Sequence, residues 1–202
     1  MATQLYHHFA RPGGPGAPLV LAFHGTGGDE YQFTALIGQI LPEAAIVAPR
    51  GDVSEQGASR FFRRTAEGVY DMPDLAARTQ RMTAFLRAHR DANPRRAVLA
   101  LGYSNGANIL ASVLFGAPEL FDRVVLMHPL IPWTPADQPG LKGRQLLLTA
   151  GRRDPICPLP RTQALANWLA AQGARTELAL HDGGHEIAPA ELGRIADFLR
   201  RA

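Results

Sequence analysis

Six short apolar runs recur along the chain and constrain its fold more than any other feature. They contain apolar residues in unbroken succession rather than in alternation with polar ones, which is typical of parallel strands buried on both faces. An earlier segment, residues 4–10, is predicted to add an edge strand. The six runs are residues 19–25, 44–51, 97–104, 123–129, 145–151 and 176–182.

Segments with helical periodicity lie between these runs. The clearest are residues 74–91, with Asp74 as the predicted N-cap, residues 160–172 and residues 189–201. The alternation predicts an α/β fold with a sheet of about seven mostly parallel strands and helices on both faces. Because 202 residues is close to the size of one domain, we expect residues 1–202 to form a single domain.

Composition excludes several classes of function. The net charge is +3, but the basic residues are spread along the chain, and the densest cluster is RFFRR at residues 60–64. A nucleic-acid interface would instead place them on one face among aromatic residues, so no nucleic-acid partner is predicted. The only cysteine is Cys157, which excludes an internal disulfide and a metal site built on several thiolates.

The apolar segments also bear on location. None approaches the ~18 uninterrupted apolar residues that a membrane span needs. The N-terminal sequence lacks the basic start and apolar region of a signal peptide. We therefore expect a cytoplasmic protein without a membrane span, and base rates alone make a homodimer plausible.

Residues 102–106, with the sequence Gly-Tyr-Ser-Asn-Gly, follow a predicted strand and open a predicted helix. So tight a turn strains the central residue, and glycine is needed two positions before and after it because other side chains would collide. The Ser104 hydroxyl would then project at a helix N-terminus, which favours developing negative charge. On this pattern alone, a serine that merely caps an ordinary helix remains the alternative.

A nucleophilic serine needs a base and usually a carboxylate that orients the base. The chain order of serine, acid and histidine indicates Asp154, after the run 145–151, and His185, after the run 176–182. Both lie at carboxyl ends of predicted strands, the edge where open α/β sheets bind ligands. The competing candidates are His128, His181, Asp122, Asp137 and Asp182, and Asp182 is the alternative orienting acid.

The glycine-rich sequence HGTGGDE, residues 24–30, follows the first apolar run and offers backbone amides to a ligand. We predict an oxyanion hole formed by the amide of Thr26 and that of Asn105, the residue after the serine. A phosphate-binding turn is the alternative, but the spacing of the nucleotide-binding glycine loops and their Lys-Ser/Thr ending are missing.

Together, the motifs LAFHGTGGDE, GYSNGA, GRRDPICP and DGGHEI resemble the α/β-hydrolase superfamily. They are most similar to its small carboxylesterases, the group with acyl-protein thioesterases, phospholipase/carboxylesterases and dienelactone hydrolases. The sequence APRGDVSEQGASRFFRR also resembles a loop of bacterial carboxylesterases in that group. The resemblance covers residues 19 to about 200 and is carried by an ordered set of motifs.

This resemblance implies Ser104, Asp154 and His185 as a catalytic triad, with the amides of Thr26 and Asn105 as the oxyanion hole. It implies no metal and no cofactor. Dienelactone hydrolases usually have a cysteine nucleophile, so the serine favours ordinary ester hydrolysis. Acyl-protein thioesterases typically have glutamine where this chain has Asn105, and residues 129–144 are too short for a cap domain.

The substrate pocket is predicted from the neighbouring loops. Phe61 and Phe62 are candidates for an acyl or aryl slot, and Arg60 for attracting an acidic group of the substrate. The alternative is that the phenylalanines anchor a surface loop in the core while the arginines are solvated. Leu130 and Ile156 correspond to pocket-lining positions in similar thioesterases. Trp133 either lines the site or covers it, and Cys157 is interpreted as a packing residue rather than a second nucleophile.

The predicted function is therefore that of an esterase acting on a small-molecule ester or thioester through an acyl-enzyme intermediate. Thioesterase or lysophospholipase activity is the alternative among enzymes. From another class, a non-catalytic hydrolase fold that serves as a binding module is the alternative, although such modules normally lose a triad residue or the oxyanion glycines.

Overall fold

A mixed sheet of seven strands crosses the part of the chain, residues 2–201, that the computed structural model describes. The described residues contain eleven strands, of which seven form this sheet. In chain order the strands are β1 (His8–Arg11), β2 (Leu19–Phe23), β3 (Ala45–Pro49), β4 (Val53–Glu55), β5 (Ala58–Arg60), β6 (Arg64–Ala66), β7 (Val69–Tyr70), β8 (Val98–Tyr103), β9 (Arg123–Met127), β10 (Gln145–Gly151) and β11 (Arg175–His181). The order across the sheet is β1-β3-β2-β8-β9-β10-β11. Strand β1 is antiparallel to β3, and the other neighbours pair in parallel.

Five α-helices occur among the described residues: α1 (Thr34–Ile40), α2 (Met72–Asp91), α3 (Asn105–Gly116), α4 (Leu159–Ala171) and α5 (Pro189–Arg200). Successive side chains of a strand point to opposite faces of the sheet. In β2, Leu19, Leu21 and Phe23 belong to the hydrophobic cluster that contains residues of α2, α3 and α4, while Val20 and Ala22 belong to the cluster with residues of α1 and α5. Helices therefore cover both faces, which confirms the predicted α/β fold.

Two details of the sequence prediction are wrong. The edge strand predicted over residues 4–10 begins only at His8, because Tyr6 places its ring against Phe85 of α2, with the centroids 5.4 Å apart. Asp74 is also not the N-cap of α2. That helix begins two residues earlier, and Asp71 is its cap because its carboxylate accepts the Asp74 amide at 3.1 Å.

The segment between β3 and α2 forms two small antiparallel hairpins, β4–β5 and β6–β7, which the sequence analysis treats as a loop. After β9, residues 128–144 contain a single short turn of 3₁₀ helix, Pro139–Leu141. Over the described chain, no cap domain covers the carboxyl edge of the sheet, as predicted. None of the helices in residues 2–201 is long and apolar enough to cross a membrane.

Candidate active site

Ser104 occupies the turn between β8 and α3 with φ 52° and ψ −117°. Positive φ is costly for a residue with a side chain, and the crowding around the turn explains how it is enforced. A Cβ on Gly102 would lie 2.7 Å from the carbonyl oxygen of Gly106, and one on Gly106 would lie 2.3 Å from that of His24. Gly102 is therefore required for β8 and α3 to approach so closely, and Gly106 for α3 to approach the end of β2. Both glycines are those of the G-x-S-x-G pattern.

His185 and Asp154 lie beside this turn. His185 Nε2 is 2.9 Å from Ser104 Oγ, and His185 Nδ1 is 2.8 Å from Asp154 Oδ2. Each comes from the loop that follows its strand, Asp154 after β10 and His185 after β11. The structure thus brings together three side chains that are far apart along the chain, since His185 lies 81 positions after Ser104 and 31 positions after Asp154.

The Asp154 carboxylate is buried but well supplied with donors. Burial favours a raised pKa, but hydrogen bonds from the Cys157 amide, His128 and His185 outweigh it and hold the pKa of Asp154 below its usual value. The group is therefore an anion at neutral pH and can accept a hydrogen bond from the imidazole of His185.

The alternative acids lie elsewhere. Asp182 has a side chain that is 86% exposed and is 3.3 Å from Arg152. Asp122 accepts the amide of Val98 at 2.7 Å, and Asp137 accepts from Gln172 at 3.1 Å. Among the candidates that the sequence offered, Asp154 is the one placed against His185.

Thr26 and Asn105 line the same pocket as Ser104. Backbone hydrogen bonds hold the glycine-rich loop around Thr26. The amide of Gly28 donates to Gly25 O within the loop at 3.0 Å, and that of Gly27 donates to Ser59 O on β5 at 2.9 Å. Asn105 begins α3, and its side-chain Oδ1 accepts the Phe61 amide at 2.7 Å. This last bond connects the start of α3 to the end of the first hairpin.

The pocket beside Ser104 has a volume of about 230 Å³. Arg60, Leu130 and Ile156 line it, in the positions predicted for substrate-binding residues. Phe61 and Phe62 do not form the predicted slot. Both are buried, because the chain turns toward the core directly after β5. The ring of Phe61 packs against that of Phe23, with the centroids 5.8 Å apart.

Arg60 is not solvated either, in contrast to the alternative reading of RFFRR. It is 3% exposed, and Nη1 donates to Thr26 Oγ1 at 2.9 Å while Nε lies 3.1 Å from Glu55. The pKa of Arg60 is lowered, mainly by burial and secondly by the positive charge of the neighbouring Arg64. The guanidinium is thus fixed directly beside the predicted oxyanion hole.

Sequence reasoning missed five further pocket residues, namely Arg64, Glu67, Tyr70, Tyr103 and Asn108. Tyr70, at the end of the second hairpin, donates to Leu130 O at 2.7 Å and accepts from Asn108 Nδ2 at 2.8 Å. Asn108 Oδ1 also accepts the Leu130 amide at 2.7 Å. These bonds fix the wall at Leu130, and the one sequence signal for them is Asn108, a polar residue one turn after Ser104.

Trp133 lies outside this pocket, in a separate groove with Trp168, and its ring is 6.1 Å from that of Tyr70. Cys157 reaches the pocket wall but is 1% exposed, and its thiol donates to His128 O at 3.1 Å. Burial raises the pKa of the Cys157 thiol far above its usual value. It is therefore a protonated packing group, in line with the interpretation from the sequence.

Two overlapping groups of side chains have nitrogen and oxygen atoms close enough together to surround a cation: His128, His181 and Glu191, and His128, Asp154 and His185. Their closest atoms are 2.7 to 3.0 Å apart. Ligands about 2.0–2.1 Å from a zinc ion stand further apart than this, so the spacing is that of hydrogen-bonded pairs.

No protein-family model matches the chain. "Putative hydrolase MhqD" from Bacillus subtilis (strain 168) is 35% identical over 186 residues, covering 91% of this chain and 93% of that protein. A solved structure of protein Atu2452, of unknown function, from Agrobacterium tumefaciens str. C58 is 52% identical, with a TM-score of 0.92 and 98% of each chain covered.

A carboxylesterase from Bacillus cereus is also similar, with 33% identity and a TM-score of 0.90 over 96% of this chain and 92% of that one. This chain therefore belongs to the α/β-hydrolase superfamily, in its phospholipase/carboxylesterase-like group. The relatives support a hydrolase function of the esterase kind.

Proposed function

We propose that this chain is a serine carboxylesterase that hydrolyses small carboxylic esters through an acyl-enzyme intermediate. The observation that carries the proposal is the continuous chain of hydrogen bonds from Ser104 Oγ through His185 to Asp154, with distances of 2.9 and 2.8 Å. The similarity to the Bacillus cereus carboxylesterase, at 33% sequence identity, supports the same reaction.

In the proposed mechanism, Ser104 Oγ attacks the ester carbonyl while His185 Nε2 takes its proton. Asp154 accepts the Nδ1–H of His185, which fixes the tautomer and stabilises the imidazolium that forms. The amides of Thr26 and Asn105 donate to the oxyanion, a contribution of about 3–4 kcal/mol for each donor in comparable enzymes. His185 then protonates the departing alcohol. In the second half of the reaction, His185 takes a proton from a water molecule that attacks the acyl-enzyme carbonyl, and it returns the proton to Ser104 Oγ as the acid leaves.

The substrate class follows from the walls of the pocket. Leu130 and Ile156 offer apolar contacts to a short acyl or alcohol group, and Arg60 offers a cation beside Thr26. A cavity of about 230 Å³ suits small esters better than long acyl chains. We place this chemistry in one domain formed by residues 1–202.

The test is turnover of a short p-nitrophenyl ester by the purified protein, together with labelling by a fluorophosphonate. We expect a burst of acyl-enzyme, and a loss of about 10⁴–10⁶ in kcat for Ser104→Ala with loss of the label. Ser112→Ala is the matched control, because this serine is on the same helix and donates to Asn108 O at 2.9 Å. Full turnover by Ser104→Ala would contradict the proposal.

Absence of label and turnover in the unaltered protein would instead favour the non-catalytic binding module. Parallel assays with an acyl-CoA and a lysophospholipid compare the ester with the two alternative substrate classes. A kcat/KM that is higher on either of these would replace the carboxylesterase assignment by that activity, while leaving the role of Ser104 intact.

A further inference from the structure

A second histidine lies behind the proposed triad. His128 follows β9 directly, is 0% exposed and has φ 49°, a conformation that is unfavourable for a residue with a side chain. Its ring is 5.2 Å from that of His185, centroid to centroid. The proposed hydrolysis assigns it no step, yet it is among the most completely buried polar residues of the chain.

Both ring nitrogens of His128 face carboxylates. Nδ1 is 2.9 Å from Asp154 Oδ2, and Nε2 is 3.0 Å from Glu191 Oε1. An ionised carboxylate only accepts hydrogen bonds, so each nitrogen must carry a proton to make both bonds. A neutral imidazole has one N–H and satisfies one of the two contacts.

Asp154 gains its fourth hydrogen bond from this ring. Its Oδ1 accepts the amides of Ile156 and Cys157, both at 2.8 Å, and its Oδ2 accepts from His185 and His128. The four donors surround the carboxylate on both oxygens, so its plane is fixed. Since His185 and His128 share one oxygen, the position of His128 bears directly on the bond that orients His185.

Glu191, on α5, supplies the counter-charge. It is 2% exposed, and Oε2 lies 3.4 Å from Thr149 Oγ1 on β10. His181 Nε2, on β11, lies 2.7 Å from Oε1 without the alignment of a hydrogen bond. Two buried carboxylates so near each other would be costly without a cation between them.

Three other titratable groups face His128, namely Tyr103, Cys157 and His181, whose ring centroid is 5.4 Å from that of His128. Tyr103, on β8, has its ring 5.8 Å away, and burial raises the pKa of that phenol to about 12. The Cys157 thiol contacts the His128 carbonyl. For His128 itself, burial favours a lowered pKa, but the hydrogen bonds to Glu191 and Asp154 outweigh it, and the pKa is raised.

We propose that His128 is a positioning residue for the reaction: a doubly protonated imidazolium that bridges Asp154 and Glu191 and holds the Asp154 carboxylate in place against His185. The role rests on the proposed serine hydrolase function, whereas the bridge itself does not. Its rigid ring has N–H groups on opposite sides, which suits a span between two carboxylates better than a flexible lysine does.

Two substitutions separate the two ends of the bridge. In His128→Asn the amide group takes the place of Nδ1, so a donor to Asp154 remains. In His128→Gln the amide reaches the place of Nε2, so a donor to Glu191 remains and Asp154 loses its contact. We expect kcat of the Gln variant to fall about 100-fold with KM nearly unchanged, and that of the Asn variant to fall less than about 10-fold.

Equal losses in the two variants, or none in either, would overturn the positioning role, provided that both fold as judged by circular dichroism. The bridge has an independent test that needs no variant. In protein labelled with ¹⁵N-histidine, we expect one ring with two protonated nitrogens across pH 6 to 8, assigned to His128 by NOE contacts with both Tyr103 and His181. A neutral His128 at pH 7 would overturn the proposal.

These outcomes are distinguishable from failure of the proposed function. A protein without esterase activity or fluorophosphonate labelling would refute the hydrolase, while the ¹⁵N spectrum would still show or refute the bridge. Conversely, a labelled and active protein with a neutral His128 would retain Ser104 and His185 in their roles and lose only this inference.

Discussion

Charged side chains lie on both sides of Ser104, in two clusters that differ in their exposure to water. The rear cluster, Asp154, His128 and Glu191, lies behind His185, and its side chains are 0–2% exposed. The front cluster, Glu55, Arg60, Arg64 and Glu67, lies on the two hairpins in front of the pocket, and its glutamates are 35% and 54% exposed. Both consist of paired opposite charges, so the difference lies in access to water.

This difference determines what each cluster can do. In the rear cluster, low polarity makes every charge depend on its partner, and the hydrogen bonds fix one arrangement. In the front cluster, water screens the pairs, and an exposed pair contributes little to stability. The rear cluster is therefore suited to orient His185, whereas in the front cluster the more exposed pair of Arg64 and Glu67 is free to rearrange around a substrate.

The largest expected effect is on the rear side. Asp154→Asn leaves the shape unchanged but favours the wrong tautomer of His185, and we expect kcat to fall about 10³- to 10⁴-fold. The matched control is Asp182→Asn, since this exposed acid is three residues before His185 and should change kcat by less than about 2-fold. Steady-state kinetics on a short p-nitrophenyl ester measures both. A greater loss in the Asp182 variant would assign the orienting role to that residue.

The second largest expected effect is a difference in how much each cluster contributes to the free energy of unfolding. Glu191→Ala leaves His128 with a buried and unpaired contact, so we expect the free energy of unfolding to fall by about 3–5 kcal/mol. Glu67→Ala, in the front cluster, removes an exposed partner of Arg64 and should cost at most about 1 kcal/mol. Urea denaturation followed by fluorescence compares the two. Similar losses would mean that water reaches both clusters equally.

The two clusters also differ in how far the sequence predicts them. Ser104, Asp154 and His185 each follow an apolar run, and the carboxyl ends of parallel strands meet at one edge, so their proximity follows from the pattern. Residues 145–151 and 175–181 even pair in register as neighbouring strands. The sequence also predicts the fold class, because the apolar runs and helical segments alternate regularly.

Glu191 and the front hairpins are harder to predict. Glu191 is in the first turn of a helix, where an acidic residue is ordinary, and its partner His128 lies 63 positions earlier. The strands of the hairpins are two to three residues long, too short for a hydrophobic period. The prediction that Phe61 lines the pocket is wrong for a related reason, because the direction of its side chain depends on packing with distant residues that one local segment does not encode.

A smaller effect is expected at the junction of the front cluster with the oxyanion hole. Thr26→Val keeps the backbone amide and removes the hydroxyl that accepts from Arg60 at 2.9 Å. We expect kcat/KM to fall about 5- to 10-fold, because one hydrogen bond that holds the loop is lost. Thr65→Val is the control, since its hydroxyl donates to Val69 O within the second hairpin. A loss above about 100-fold would show that the hydroxyl itself contacts the reacting ester.

The smallest effect is expected at Cys157, which contacts Asp154 and His128 of the rear cluster and also lines the pocket. Its backbone amide holds Asp154 Oδ1 at 2.8 Å, and Cys157→Ala retains that amide. We expect kcat to change by less than about 2-fold, and iodoacetamide to leave the unaltered protein active, because a buried thiol with a raised pKa forms little thiolate. Inactivation with modification mapped to Cys157 would show that solvent and reagent enter behind Asp154. The rear cluster would then be as open to water as the front one, and the contrast between them would be lost.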